Sequence, residues 1–192
     1  MQKKLQKINS LKDEVRELHP LLHQLFPSIP RVSAVEYTHG SHEYGADFVI
    51  IRSDDASTRE EYIGVVVKSG NIAQNFDDVE RQIDECSIPR HIEGGKKKIV
   101  IGEVWVIASG SITHNAQQKI SHKYADKKVK FYWDETIVSW VDSYYPLFWE
   151  NVDQNIGIYL NSVAKKADDL GFTTNSYNIV EKDFYVEQQL VK

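Results

Sequence analysis

Two short segments, residues 40–47 and 66–70, contain the residues best suited to chemistry. The first reads GSHEYGAD and ends on Asp47, and the second reads VVKSG and contains Lys68. Both border β-branched apolar runs, which predict that Asp47 begins one strand and that Lys68 ends the next. In an antiparallel hairpin, the start of one strand lies beside the end of its neighbour. The carboxylate and the ammonium are therefore predicted to share one edge of a sheet.

An acid and a lysine at one site suit phosphodiester cleavage. The carboxylate would hold a divalent cation that polarises the phosphate, while the ammonium stabilises developing charge or orients the nucleophile. Glu43 would add a second oxygen ligand suited to Mg²⁺, with Mn²⁺ as the alternative ion. The plainer interpretation is that Asp47 caps a turn and that Lys68 is a solvated strand end.

The hydrophobic pattern predicts an α/β fold that positions these residues. Apolar side chains at three- and four-residue intervals predict one long helix over residues 2–25, with a kink or break near His19 because Pro20 interrupts the pattern. The other segments alternate between strand-like and helix-like hydrophobic patterns. They indicate a mixed sheet flanked by helices, and the first three strands of this sheet form a meander. Strands are predicted at 32–38, 47–51, 62–67, 104–108 and 129–132. Further helices are predicted to begin at 77 and end before Pro89, and to cover 112–120, 134–140 and 147–167.

At Asp47 and Lys68 the sequence resembles the PD-(D/E)XK nuclease superfamily and, within it, the Mrr-like restriction endonucleases. The resemblance covers roughly residues 5–110. It implies a restriction-endonuclease-like three-layer core, in which a helix, three strands, a further helix and a fourth strand follow in order. It also implies that Asp47 at the head of the second strand and Lys68 at the end of the third are catalytic.

The same resemblance implies two further catalytic groups. One is an acid in the first helix, for which Glu14 and Glu17 are both candidates, and the other is Gln82 in the helix after the third strand. One position departs from the family pattern, because the acid or glutamine expected two residues before the lysine is replaced by Val66.

The candidate metal ligands are therefore Asp47, Glu43 and the main-chain carbonyl of Val67. Two explanations of Val66 stay open. Either Glu43 supplies the missing oxygen and is itself catalytic, or the site has decayed into a binding or scaffolding remnant.

A second resemblance concerns the order of motifs. The buried strand ending in residues 68–70, Gln82 in a polar helix, and then residues 105–106 and 109–110 resemble the N-terminal nuclease domains of Avs-type antiviral STAND ATPases. The resemblance implies an effector that is activated by homo-oligomerisation and that continues into a STAND NTPase and sensor region in the full-length chain. The predicted organisation is a nuclease domain at 1–145, a helical extension at 146–170 and a linker or docking tail at 171–192.

Charge gives a weaker guide to partners. The 23 basic and 28 acidic side chains give a net charge of −5, so a polyanion must meet a local patch. The candidate DNA-binding patch is the lysine run Lys96, Lys97 and Lys98 beside Arg90, which is predicted to lie in a loop and contact phosphates. Such a run is more often simply solvated.

Composition excludes several classes of protein. Cys86 is the only cysteine, so a disulfide framework or a tetrathiolate zinc site cannot form within one chain. No apolar run has the length of a membrane helix, and the N-terminus has no signal-peptide pattern. We therefore predict a cytoplasmic protein with no membrane partner.

The sequence thus favours a Mg²⁺-dependent endonuclease that cleaves double-stranded DNA with little sequence specificity, since no base-reading module is recognisable. The alternative is a catalytically inactive nuclease-like module for nucleic-acid binding or assembly. A third hypothesis is an RNA nuclease with the same site.

Overall fold

The computed structural model describes residues 1–38, 40, 44–54 and 57–150. Its main compact unit is Met1–Pro146. The predicted extension and tail lie outside the described residues, apart from a short 3₁₀ turn at Pro146–Glu150. Among the described residues, no helix combines the length and apolarity that a bilayer span requires.

A five-stranded mixed sheet forms the centre of the unit. The strands are β1 (Val32–Tyr37), β2 (Phe48–Asp54), β3 (Ser57–Lys68), β4 (Arg90–Ile92), β5 (Lys97–Ile99), β6 (Glu103–Ala108) and β7 (Lys128–Tyr132). The sheet order is β1-β2-β3-β6-β7, while β4 and β5 pair separately. β1, β2 and β3 are antiparallel neighbours, and β3, β6 and β7 run parallel. The predicted meander and the mixed α/β sheet are confirmed.

Helices cover both faces of this sheet. They are α1 (Gln2–Asn9), α2 (His19–Leu25), α3 (Asp77–Glu85), α4 (His114–Lys123) and α5 (Asp134–Tyr144). On one face, Val66 of β3 packs in a common core with Ile83 of α3 and Ile120 of α4, all fully buried. On the other face, Trp140 of α5 lies 6.3 Å from Trp105 of β6 between ring centroids. Alternating strand residues thus serve two cores.

The first helix is not continuous, so the prediction of one long helix over residues 2–25 was wrong. Near His19, where a kink or break is predicted, a π-helical segment passes into α2. α1 ends at Asn9, and a separate π-helical segment, Glu14–Leu18, leads into α2. Asp13 starts this segment as its N-cap, because its side chain accepts a hydrogen bond from the Arg16 N–H at 2.9 Å. Pro20 lies in the first turn of α2, where a missing N–H does not break the helix.

The predicted lysine loop is also different, because residues 90–99 form the β4–β5 hairpin. Ile92 and Ile99 of the hairpin pack on Val49 and Ile51 of β2. Apolar residues on both sides of the glycine-lysine tract therefore dock it on the sheet.

Candidate active site

Asp47 lies immediately before β2 and is 4% exposed. Its Oδ2 accepts a hydrogen bond from the Val67 N–H of β3 at 2.7 Å. Its Oδ1 lies 3.8 Å from Nε2 of buried His19, whose Nδ1 is 3.1 Å from the Tyr37 hydroxyl. The aspartate is therefore held against the end of β3, one residue before Lys68. No local pattern predicts the contact with His19, because α2 and the residue before β2 meet only through the tertiary fold.

Lys68 meets an acid from the N-terminal segment. Its Nζ lies 3.9 Å from Oε2 of Glu14, and Oε1 of Glu14 accepts a hydrogen bond from the Ser69 N–H at 3.0 Å. Lys68 and Glu14 keep 23% and 31% of their side chains exposed, so the pair is open to solvent. Three parts of the chain thus converge where β3 ends, each with a charged group.

The structure separates the two first-helix candidates. Oε2 of Glu17 accepts hydrogen bonds from the backbone N–H groups of Lys12 at 2.8 Å and Asp13 at 2.9 Å. Glu17 therefore holds the start of the π-helical segment, whereas Glu14 faces Lys68. Glu14 is the acid that belongs to the candidate site.

A buried serine fastens the segments that contain these groups. Ser109 follows β6, is fully buried, and its Oγ accepts a hydrogen bond from the Gly70 N–H at 2.8 Å. The same hydroxyl donates to the Leu11 carbonyl at 3.2 Å. Asn71 adds a second connection, since its Oδ1 accepts a bond from the Ser111 N–H at 2.8 Å. The ends of β3 and β6 are therefore fixed relative to the segment that contains Glu14.

Gln82 and Gly45 mark a close contact between α3 and the turn before Asp47. Gly45 has a φ of +77°, and a Cβ at this position would lie 2.2 Å from the Gln82 carbonyl oxygen. Gln82 is buried, and within the described part of the chain its Oε1 has no hydrogen-bond partner. Gly45 is thus needed for helix packing as well as for backbone conformation.

Arg90 does not lie on the surface, which corrects the prediction that it contacts DNA. It is 3% exposed, and its guanidinium donates to the Tyr44 carbonyl at 2.6 Å. Burial lowers the pKa of Arg90 from its ordinary value, and the nearby Cys86 thiol has a pKa raised to about 12, also by burial. Arg90 therefore supports the turn that precedes Asp47.

The lysine run lies away from these groups. Lys97 pairs with Glu60 and with Glu93, while Lys96 and Lys98 are exposed. Glu60 precedes Lys68 by eight residues in β3, which is roughly 26 Å along an extended strand. The hairpin lysines and the candidate site therefore occupy opposite ends of β3.

The donor set for a metal consists of few groups. Glu43 lies outside the described residues, and Val66 is fully buried in the core. Across the described ranges, no cluster of three or more histidine, cysteine, aspartate or glutamate side chains is placed to bind a metal ion. Asp47 and Glu14 remain, and two carboxylates completed by waters and substrate phosphate match the manner in which proteins commonly hold Mg²⁺. The chemistry of these two donors therefore suits this ion.

Comparisons with known proteins give little further guidance. No family model matches the sequence, and no curated protein matches it. Among solved structures, the chain is similar to the MspJI restriction endonuclease in complex with a 27-mer oligonucleotide, with 14% sequence identity and a TM-score of 0.44. The match covers 72% of this chain and spans 30% of the MspJI chain.

Proposed function

We propose that this chain is a metal-dependent endonuclease that hydrolyses phosphodiester bonds of double-stranded DNA with little sequence specificity. The observation that supports the proposal is the convergence of Asp47, Lys68 and Glu14 at the end of β3. The resemblance to PD-(D/E)XK nucleases named Asp47 and Lys68 and left the acid open between Glu14 and Glu17. The hydrogen bonds of Glu17 favour Glu14 for that role.

The residues of this chain have distinct tasks in the proposed reaction. Asp47, fixed by the Val67 N–H, presents a carboxylate of set orientation, and Glu14 adds a second acid beside Lys68. The Lys68 ammonium stabilises the negative charge that develops on the phosphate oxygens. Mg²⁺, or Mn²⁺ in its place, would be held by Asp47 and Glu14 and would supply Lewis-acid polarisation of the phosphate.

The biological role follows from the second resemblance, to Avs-type effector nucleases. On this proposal the domain is the effector of an antiviral defence protein, and a STAND NTPase and sensor region in the same full-length chain bring copies together. Self-association then activates cleavage, because a nuclease of low specificity that is always active would cut its host.

A plasmid-nicking assay tests the proposal. The chain, fused to a coiled coil that forces oligomerisation, is incubated with supercoiled plasmid in Mg²⁺ or in EDTA. We expect nicking in Mg²⁺ only, and a loss of about 100-fold or more for Asp47→Asn and Lys68→Ala. Asp126→Asn and Lys119→Ala, which change exposed side chains of the same types, serve as matched controls. Folding of each variant is checked by thermal denaturation, since Asp47 is buried.

Cleavage at the wild-type rate by either site variant would remove these residues from the mechanism. Matched RNA and DNA duplexes in the same assay distinguish a ribonuclease from a deoxyribonuclease.

A second candidate function is a catalytically inactive module for nucleic-acid binding or assembly. The burial of Val66 at the position of an expected ligand favours it. Intact DNA after long incubation, together with no heat of Mg²⁺ or Mn²⁺ binding in calorimetry, would support this alternative over the nuclease.

A further inference from the structure

An open groove of about 630 Å³ lies beside the candidate site. Glu14 and Ser69, already joined by a hydrogen bond, form part of its wall, which places the groove at the end of β3. The residues that line it are Lys12, Asp13, Glu14, Arg16, Glu17 and Ser69.

Two cations of the groove extend into solvent from a fixed backbone. The Arg16 side chain is 86% exposed, with its Nε 3.8 Å from an oxygen of Asp13, and Lys12 is also exposed. The backbone N–H of Lys12 is bound by Glu17 and that of Arg16 by Asp13. Two acids of the groove therefore fix the backbone from which the side chains of Lys12 and Arg16 extend.

The charge of this region differs from that of the whole chain. Residues 1–17, which include every groove residue except Ser69, contain five cationic side chains and three carboxylates, whereas the chain has a net charge of −5. A polyanion is therefore attracted to the N-terminal segment more than to the average surface.

We propose that this groove binds the phosphate backbone of the DNA strand to be cut, with Lys12 and Arg16 contacting phosphates beside the scissile one. This inference rests on the proposed function. On this proposal the groove, and not the lysines of the hairpin, is the main DNA-contacting surface, because Lys97 is paired with acids and the hairpin turn lies at the far end of β3. Contacts of this kind set position and affinity without reading base sequence.

The test compares two surfaces that lose equal charge. Binding of a fluorescent DNA duplex is measured by anisotropy in EDTA over a series of salt concentrations, for wild type, K12A/R16A and K96A/K98A. We expect K12A/R16A to weaken binding about tenfold and to reduce the slope of log K against log salt by about 1.8. K96A/K98A should change affinity by less than about twofold.

Several results would overturn the inference. An equal loss of duplex affinity in both double variants would show a general charge effect. A larger loss of affinity in K96A/K98A would assign DNA binding to the hairpin. The charge reversal K12E/R16E, checked for folding by circular dichroism, must weaken binding further than K12A/R16A.

The two proposals fail in different ways. Wild-type protein that nicks plasmid while K12A/R16A binds normally contradicts the groove alone. Groove-dependent binding without nicking in Mg²⁺ contradicts the nuclease alone, and a wild-type chain that binds no duplex contradicts both.

Discussion

Glu14 and Lys68 face each other across 3.9 Å, although one belongs to the N-terminal segment and the other ends a central strand. The same glutamate binds the Ser69 N–H with its other oxygen. One carboxylate therefore connects the helical layer with the end of β3, at the point where Asp47 is also fixed.

Exchanging each first-helix acid for its amide should give two different phenotypes. Glu14→Gln should lower plasmid nicking by about 10- to 100-fold, because it removes the charge beside Lys68. Stability should change little, because the amide oxygen can still accept the hydrogen bond from the Ser69 N–H. Glu17→Gln should lower the free energy of unfolding by about 0.5–2 kcal/mol, because its oxygen binds two backbone N–H groups at the segment start. Nicking assays and urea denaturation of both variants measure the difference. If the two variants lose activity equally at matched folded fractions, Glu14 has no special role.

Removing the Ser109 hydroxyl should impair both stability and cleavage. Ser109→Ala leaves the partly buried Gly70 N–H and the Leu11 carbonyl without this partner, at a cost of about 1–3 kcal/mol. We expect kcat to fall while the DNA concentration for half-maximal rate stays unchanged, because the groove cations are untouched. Ser111→Ala, which removes an exposed hydroxyl bonded to Asn71, is the control. A fall in stability with unchanged kcat would limit Ser109 to a structural role.

A methyl group at Gly45 should be costly for two reasons. Gly45→Ala forces an L side chain into a positive φ and places Cβ against the backbone of α3, so we expect a loss of about 2–4 kcal/mol in urea unfolding. Gly94 also has a positive φ, of +65°, but its Cβ would meet no atom within 4 Å. Gly94→Ala should therefore cost only about 1 kcal/mol. Similar costs for both variants would mean that the contact with α3 is unimportant.

The buried acid Glu103 should make stability depend on pH. Burial alone raises its pKa, but hydrogen bonds from Lys130 and Trp105 and the charge of Arg52 outweigh burial, so the pKa lies below the ordinary 4.5. The stabilisation is complete above the ordinary pKa and is lost as pH falls through the lowered value. Glu103→Gln should therefore lower the free energy of unfolding by about 1–3 kcal/mol at neutral pH and by much less in acid. Asp126→Asn is the matched control, and a pH-independent difference for Glu103→Gln would contradict the assignment.

The central sheet could be predicted because its signals are local. The β-branched runs around Ile50, Val66 and Val106 are buried on both faces, so their apolar character alone marks them as strands. Only two residues separate β2 from β3 in the sequence, which favours antiparallel pairing of the two strands and places Asp47 beside the end of β3.

Other features depend on contacts that periodicity does not reveal. The apolar spacing of residues 2–25 continues across the break before Asp13, so periodicity does not reveal it. The break is marked instead by two hydrogen bonds, from the Arg16 N–H to the Asp13 side chain and from the Asp13 N–H to the Glu17 side chain. The position of Arg90 beside the lysine run predicts a phosphate contact on the surface, whereas in the structure Arg90 is buried and the Tyr44 carbonyl provides a partner from a distant turn. Both outcomes were decided by hydrogen bonds to backbone atoms.

The segment that contains Glu14 is a helical piece separate from α1. It must dock onto the sheet before Lys68 of β3 has Glu14 as its counter-ion. The strand pairings of the meander do not require that docking. A ligand or partner that displaced this segment would therefore separate Glu14 from Lys68 and silence the proposed cleavage without removing any residue of the paired strands.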